Sequence, residues 1–140
     1  MSKPCPFCAV ARGELPASIV SRTDSLIAFL DARPVFEGHV LVVPRQHLED
    51  FDALPAALAG PLLLEGQRIA RAQAKALGAQ GAFVALNHRI SQSVPHLHLH
   101  VVPRKKGDGL RGFFWPRVAY ANEARRDEVA ALLAAALDPQ

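Results

Sequence analysis

Cysteine occurs only twice, tryptophan, tyrosine and methionine once each, and no apolar run approaches the roughly 20 residues needed to cross a bilayer. So few cysteines exclude a disulfide-stapled scaffold, and the missing run excludes a helical membrane protein. The opening Met1-Ser2-Lys3-Pro4-Cys5-Pro6 lacks the apolar stretch of a secretory signal, so a soluble, cytoplasmic protein without a membrane partner is expected. Charge of one sign is also scarce. Sixteen Lys and Arg against thirteen Asp and Glu leave +3, too little to mark a nucleic-acid coat. No specific nucleic-acid partner is expected, whereas a small anionic ligand suits this balance.

What is present is apolar: 50% of the 140 residues are hydrophobic, enough for a substantial core in a chain the size of one domain. A single domain over residues 1–140 is expected, since no repeat, low-complexity stretch or linker interrupts it. Ile19-Val20 and Leu26 to Leu30 are short apolar runs around Arg22-Thr23-Asp24-Ser25, predicting two strands and a turn. His39 to Val43 opens after Gly38, closes at Pro44 and is β-branched, predicting a buried central strand. From Asp50 to Leu77 the composition turns to Ala, Leu, Gln, Arg and Lys. Leu58, Leu62, Ile69 and Leu77 there suit one helical face, with Gly60-Pro61 a possible break or start. Ala82 to Leu86 reads as a strand, Asn87 to Ser93 as a polar loop, and His96 to Val102 as a strand alternating imidazole with Leu or Val. Beyond it lie a basic, Gly-rich loop from Arg104 to Gly112 and an aromatic knot, Phe113-Phe114-Trp115. A helix from about Glu123 to Leu137 follows, with Asn122 as N-cap. This order of elements argues α+β.

Alternate side chains of a strand share a face, which puts His96, His98 and His100 on one side and Leu97, Leu99 and Val101 on the other. At about 3.3 Å per residue, adjacent imidazoles start about 6.6 Å apart and the outer pair about 13 Å apart, too far for all three to hold one ion. A division of labour follows. The expectation is that one outer ring binds metal, His98 serves as nucleophile, and the other outer ring handles a proton or leaving-group charge. Cys5-Pro6-Phe7-Cys8 is the spacing of a zinc half-site, and it lacks the βαβ context of a redox CxxC pair. With no further cysteine, His47 and His96 are the best candidates to complete it. Gln92, Ser93, Asn87 and Arg89 precede the imidazoles and could supply donors to phosphate oxygens, although a plain polar turn would look the same. Arg104, Lys105 and Lys106 could steer a polyphosphate or simply be solvated. Asp31 could bind ribose hydroxyls or be an ordinary turn carboxylate beside Pro34. His39 is expected to pack inside the sheet and His88 to lie in the polar loop, neither with a chemical role.

The run His96-Leu97-His98-Leu99-His100-Val101-Val102 resembles the signature of the histidine triad family of nucleotide hydrolases and transferases. Cys5-Pro6-Phe7-Cys8, Ala28 to Asp31, Gly38 to His47 and Gln92 to His96 match its landmarks in order. The resemblance implies an antiparallel sheet of about five strands with one long helix and a C-terminal helix, usually in a homodimer. It implies a purine nucleotide as substrate and His98 as the nucleophile that forms a nucleotidyl-histidine intermediate. His100 would lie near the scissile phosphate, Ser93 and Gln92 on the phosphate, Asp31 on the ribose and Asn87 in the substrate site. Zinc-bearing members are similar in using residues that here are Cys5, Cys8, His47 and His96, which implies a structural zinc. The sequence departs from the pattern in a loop two residues shorter between Asn87 and His96 and in Ser91, where the family usually has Gly.

The implied activity is cleavage at the α-phosphate of nucleoside phosphoramidates or dinucleoside polyphosphates, releasing a nucleoside monophosphate. Three rivals stay open: a hydrolase using metal-activated hydroxide, a zinc-stabilised nucleotide-binding module without significant turnover, and a redox protein using Cys5 and Cys8.

Overall fold

Short apolar runs build a five-stranded antiparallel sheet. Its strands are β1 (Ile19–Arg22), β2 (Leu26–Leu30), β3 (Val40–Pro44), β4 (Gly81–Ala85) and β5 (Leu99–Arg104), in the order β1-β2-β3-β5-β4. The computed structural model describes residues 4–110 and 117–139. They fall into two compact units, Met1–Asp108 and Gly109–Gln140. The first unit adds helix α1 (Pro6–Ala11), a 3-10 turn (Phe51–Ala53) and helix α2 (Ala56–Leu77); the second holds helix α3 (Glu123–Ala136). The α+β architecture expected from the sequence is the one observed. Among the described residues no helix is long and apolar enough to cross a membrane.

The sheet buries both faces at its centre. On one, Leu26, Ala28, Val40, Val42, Leu99 and Val101 pack with Leu58, Leu62 and Ile69 of α2. On the other, Ile27, Phe29, Leu41 and Val43 pack with Val10 and Phe7 of α1. This double covering explains why β2 and β3 are continuous apolar runs rather than alternating ones. Each fully buried Leu, Ile or Val side chain contributes about 1.5–3 kcal/mol over an exposed one, so the two clusters dominate the stability of the unit.

Several boundaries differ from the sequence expectation. The helix expected from Asp50 begins at Ala56, because Leu54 precedes Pro55 and the residue before a proline is driven out of the α region. Asp50 instead caps the 3-10 turn, its carboxylate accepting from the Asp52 N–H at 3.1 Å. Pro61 lies inside α2 without ending it. Leu77, expected on the core face, is 46% exposed. Gln73 is buried there and its amide donates to the Gly38 and Val101 carbonyls at 2.8 and 2.9 Å, tying α2 to the sheet. Gly38 has φ 92°, and a Cβ at that position would collide with Leu77, so the entry to β3 requires glycine.

The strand expected from His96 enters the ladder only at Leu99. Its upstream half is held by the Leu97 N–H donating to the Leu48 carbonyl at 2.7 Å. β1 reaches Arg22, which the sequence had placed in the turn, and β3 and β4 each lie one residue from the expected bounds. Helix α1 was not expected; Pro6 starts it and Cys5 caps it, its sulfur accepting from the Cys8 N–H. Asn122 caps α3 as expected, accepting from the Arg125 N–H at 2.8 Å. The Phe113-Phe114-Trp115 knot lies outside the described residues.

Candidate functional site

A cleft of about 740 Å³ opens on the α1 face of the sheet. Asp31, at the end of β2, lies on its wall with Ser93, His98 and His100, while Phe7, Val10, Phe29 and Leu41 supply an apolar side. The expected alternation holds: Leu97, Leu99 and Val101 enter the α2 core, and Phe7 packs edge-on against His96 and His98 on the other face. The His98 and His100 ring centres are 4.9 Å apart, closer than the backbone repeat alone gives, because the rings tilt together.

Hydrogen bonds fix which nitrogen each ring presents. His98 Nδ1 lies 2.7 Å from the His96 carbonyl oxygen, which can only accept. Neutral His98 therefore carries its proton on Nδ1 and its lone pair on Nε2. The Val35 N–H donates to His39 Nδ1 at 3.1 Å, so the His39 proton sits on Nε2. That proton is donated to His100 Nδ1 at 2.9 Å, and neutral His100 consequently holds its own proton on Nε2, which is buried and finds no partner among the described residues. Burial holds both rings in this neutral chain: it lowers the His39 pKa, against the pull of Asp31, and lowers that of His100 to about 4, helped by His98 and His39. Asp31 uses one carboxylate oxygen to accept from the Arg33 N–H at 2.9 Å, and the other lies 3.8 Å from His39 Nε2. The site thus pairs a ring with a free lone pair and a ring with a free N–H. His39, expected only to pack in the sheet, is buried as expected but also orients His100; no spacing in the sequence links the two.

Behind Phe7 lies a second constellation. One donor atom each from Cys5, Cys8, His47 and His96 come within 4.8 Å of one another. Cys5 Sγ is 3.3 Å and Cys8 Sγ 3.5 Å from His96 Nδ1, and Cys8 Sγ is 3.2 Å from His47 Nδ1. Tetrahedral Zn²⁺ with bonds of about 2.3 Å to sulfur and about 2.0 Å to nitrogen sets sulfur–nitrogen separations of about 3.5 Å, so the donor set fits such an ion. His96 is also correctly poised. Its Nε2–H donates to the Pro44 carbonyl at 2.7 Å, which leaves the Nδ1 lone pair facing the sulfurs. Burial pushes the Cys8 thiol up and keeps His96 neutral; a bound cation would draw the proton from the thiol.

The loop before the imidazoles is braced from within. The Gln92 amide accepts from the Arg89 N–H at 3.1 Å and donates to the Glu49 carbonyl at 2.8 Å, and Asn87 donates to the Ser91 carbonyl at 3.1 Å. Arg89 pairs with Asp50 at 2.7 Å, and His88 lies against Phe51. Ser93 lines the cleft, whereas the Gln92 and Asn87 side chains shape the loop that carries it. Ser91, standing where glycine was expected, adopts φ 61°, and Arg89 adopts φ 68°, so this loop keeps left-handed turns without glycine. Lys105 and Asp108 form a turn at the opposite end of β5, away from the cleft lining.

Fold and site together define a small α+β protein whose histidine-lined cleft adjoins a Cys2His2 metal-site geometry. The HIT domain model matches residues 12–107, and the chain belongs to that family. It is 39% identical over 109 residues to an uncharacterised HIT-like protein of Mycobacterium tuberculosis, covering 76% of each chain. It is 31% identical over 114 residues to an adenosine 5'-monophosphoramidase of Schizosaccharomyces pombe, covering 80% of this chain and 83% of that one. Among solved structures, a Zn-bound histidine triad family protein from Mycobacterium smegmatis superposes with a TM-score of 0.74 at 36% identity, covering 94% of this chain and 96% of the other.

Proposed function

We propose that the protein is a nucleotide hydrolase or nucleotidyl transferase that cleaves the α-phosphate bond of nucleoside phosphoramidates or dinucleoside polyphosphates through a nucleotidyl-His98 intermediate. The observation that carries this reading is the pair of complementary rings in the cleft: the lone pair of His98 Nε2, set by the 2.7 Å bond from Nδ1 to the His96 carbonyl, beside a neutral His100. The similarity to a monophosphoramidase supports the substrate class.

In the first step His98 Nε2 forms a bond to the α-phosphorus while the bond from phosphorus to the leaving nitrogen or oxygen breaks, and the leaving group takes up a proton. His100 Nε2–H would donate a hydrogen bond to that leaving atom or to a phosphoryl oxygen while keeping its proton, because a neutral imidazole is too weak an acid to release it. The proton taken up by the leaving group comes from solvent. Water then attacks phosphorus and gives up a proton to solvent, the bond to His98 breaks and returns its electron pair to Nε2, and a nucleoside monophosphate departs. The Ser93 hydroxyl and nearby amides would hold the charged oxygens, the free oxygen of Asp31 would accept from the ribose, and Phe7, Val10, Phe29 and Leu41 would cover a purine. Gln92 and Asn87 serve the substrate through the loop they brace. Zinc in the Cys5, Cys8, His47 and His96 tetrad is structural in this reading, because four protein ligands leave no position for a reacting water.

Acid-quenched intact-mass spectrometry with adenosine phosphoramidate tests the proposal. The wild type should show a nucleotidyl adduct and release adenosine monophosphate, and His98→Ala should lose both. Turnover that survives His98→Ala would remove His98 as nucleophile, and binding without turnover in the wild type would leave a nucleotide-binding module.

A further inference from the structure

Helix α1 stands between the Cys2His2 tetrad and the cleft. Its N-terminal end carries Cys5 and Cys8 on the tetrad, and its Phe7 and Val10 face the cleft. The Phe7 ring meets His98 edge-on, with centres 5.1 Å apart and planes at 82°, and also touches His96 at 5.9 Å and Phe29 at 5.4 Å. Ser93 and Val94 line the cleft on one side and the tetrad cavity on the other. The carbonyl that fixes the His98 tautomer belongs to His96, itself a tetrad member. A six-residue helix does not hold itself in water, so the tetrad and the packing of Phe7 and Val10 set where α1 lies.

An ion that draws Cys5, Cys8, His47 and His96 together selects the arrangement in which α1 is docked and Phe7 stands against His98. A nucleotide that uses the same wall selects the same arrangement. Whichever ligand binds first meets the ordering cost, and the second meets less of it. We propose that Zn²⁺ occupation of the tetrad and binding of a nucleoside monophosphate in the cleft are reciprocally coupled, with Phe7 as the positioning residue that transmits the coupling. The inference rests on the nucleotide reading of the cleft.

Calorimetric titration of adenosine monophosphate into zinc-loaded and chelator-stripped protein measures the coupling in one direction. Competition of the protein with a chromogenic chelator for Zn²⁺, with and without saturating adenosine monophosphate, measures it in the other. Stripping should weaken nucleotide binding by about 5- to 100-fold, and the nucleotide should tighten Zn²⁺ binding by the same factor, as linkage requires. Zinc-loaded Phe7→Ala should keep one Zn²⁺ per chain, bind the nucleotide more weakly and show a factor close to one; Phe7→Leu should recover part of it. Equal nucleotide affinity in a folded stripped protein and the loaded one would overturn the coupling. A factor in Phe7→Ala as large as that of the wild type would overturn Phe7 as the residue that transmits the coupling. A zinc-loaded wild type that binds no adenosine monophosphate would overturn the nucleotide reading and the coupling with it, an outcome distinct from binding that ignores the metal.

Discussion

Burial decides what the imidazoles can do. Free in water each would be substantially protonated near pH 6, and a charged ring offers no lone pair to phosphorus. His39 and His100 are kept neutral by desolvation, and their directional bond then determines which His100 nitrogen is left free of it. His39 is absent from the cleft wall and reaches the site through its bond to His100 and its 3.8 Å approach to Asp31. His39→Ala leaves His100 Nδ1 without its donor and frees the ring to change tautomer. Losses of about 10- to 100-fold are typical when a partner that orients a functional histidine is removed, and kcat should fall by that order while KM changes little. Steady-state kinetics on the phosphoramidate check this, and an unchanged kcat would show that His100 does not need the bond. The run from His96 to His100 could be read directly in the sequence because its period of two is a backbone property. His39 could not, since its role depends on β3 and β5 being neighbours, a long-range pairing that no local spacing encodes.

Between elements, α2 approaches β5 tightly at a glycine. A Cβ on Gly66 would lie 2.7 Å from Leu99 Cδ2, in a buried layer on the reverse side of the strand that carries His98 and His100. Two effects oppose each other in Gly66→Ala. Helix propensity favours alanine by about 1 kcal/mol, whereas forcing an extra methyl into a packed core costs about 1–3 kcal/mol. Leu99 is 2% exposed, with little room to turn aside, so packing should win and denaturant unfolding should show a net loss of about 1 kcal/mol. A more stable variant would mean that the layer yields freely. The sequence announced α2 by composition and β2, β3 and β4 by apolar runs, but it misplaced the start of α2 and the start of β5. Pro55 decided the first by its effect on Leu54. The second was hidden because His96 and His98 keep the alternation of a strand while their segment is held by Leu48 and by side-chain bonds to Pro44 and His96 instead of a ladder. Helix α1 was illegible for a different reason: six residues carry too little periodicity, and its position is set by cysteines 5 and 8 meeting His47 and His96 from distant parts of the chain.

At the level of the whole molecule, neutral buried imidazoles make stability depend on pH in a window that carboxylates do not reach. The unfolded chain takes up a proton on each histidine near pH 6.5, whereas folded His100 does so only near 4 and folded His39 also lower than usual. Between these values the unfolded state binds more protons, so stability rises with pH: the contribution is fully present above about 6.5 and is lost as pH falls through 6.5 toward 4. The slope is at most about 1.4 kcal/mol per pH unit for each such ring. Glu65, held low by Arg68, and Asp50, held low by Arg89, act in the same direction, but only near and below the ordinary carboxylate values of 4.5 and 3.8. The interval from pH 5 to 6.5 therefore belongs to the histidines. Denaturant unfolding at pH 7.5, 6.0 and 5.0 should show midpoints that decline with acid, and His100→Asn, which has nothing to protonate there, should decline less steeply. The tetrad ligands also lose metal as acid protonates them, and chelator-stripped wild type and chelator-stripped His100→Asn compared over the same range remove that contribution. If those two stripped proteins share one slope, the buried His100 proton balance is not what makes the fold sensitive to acid.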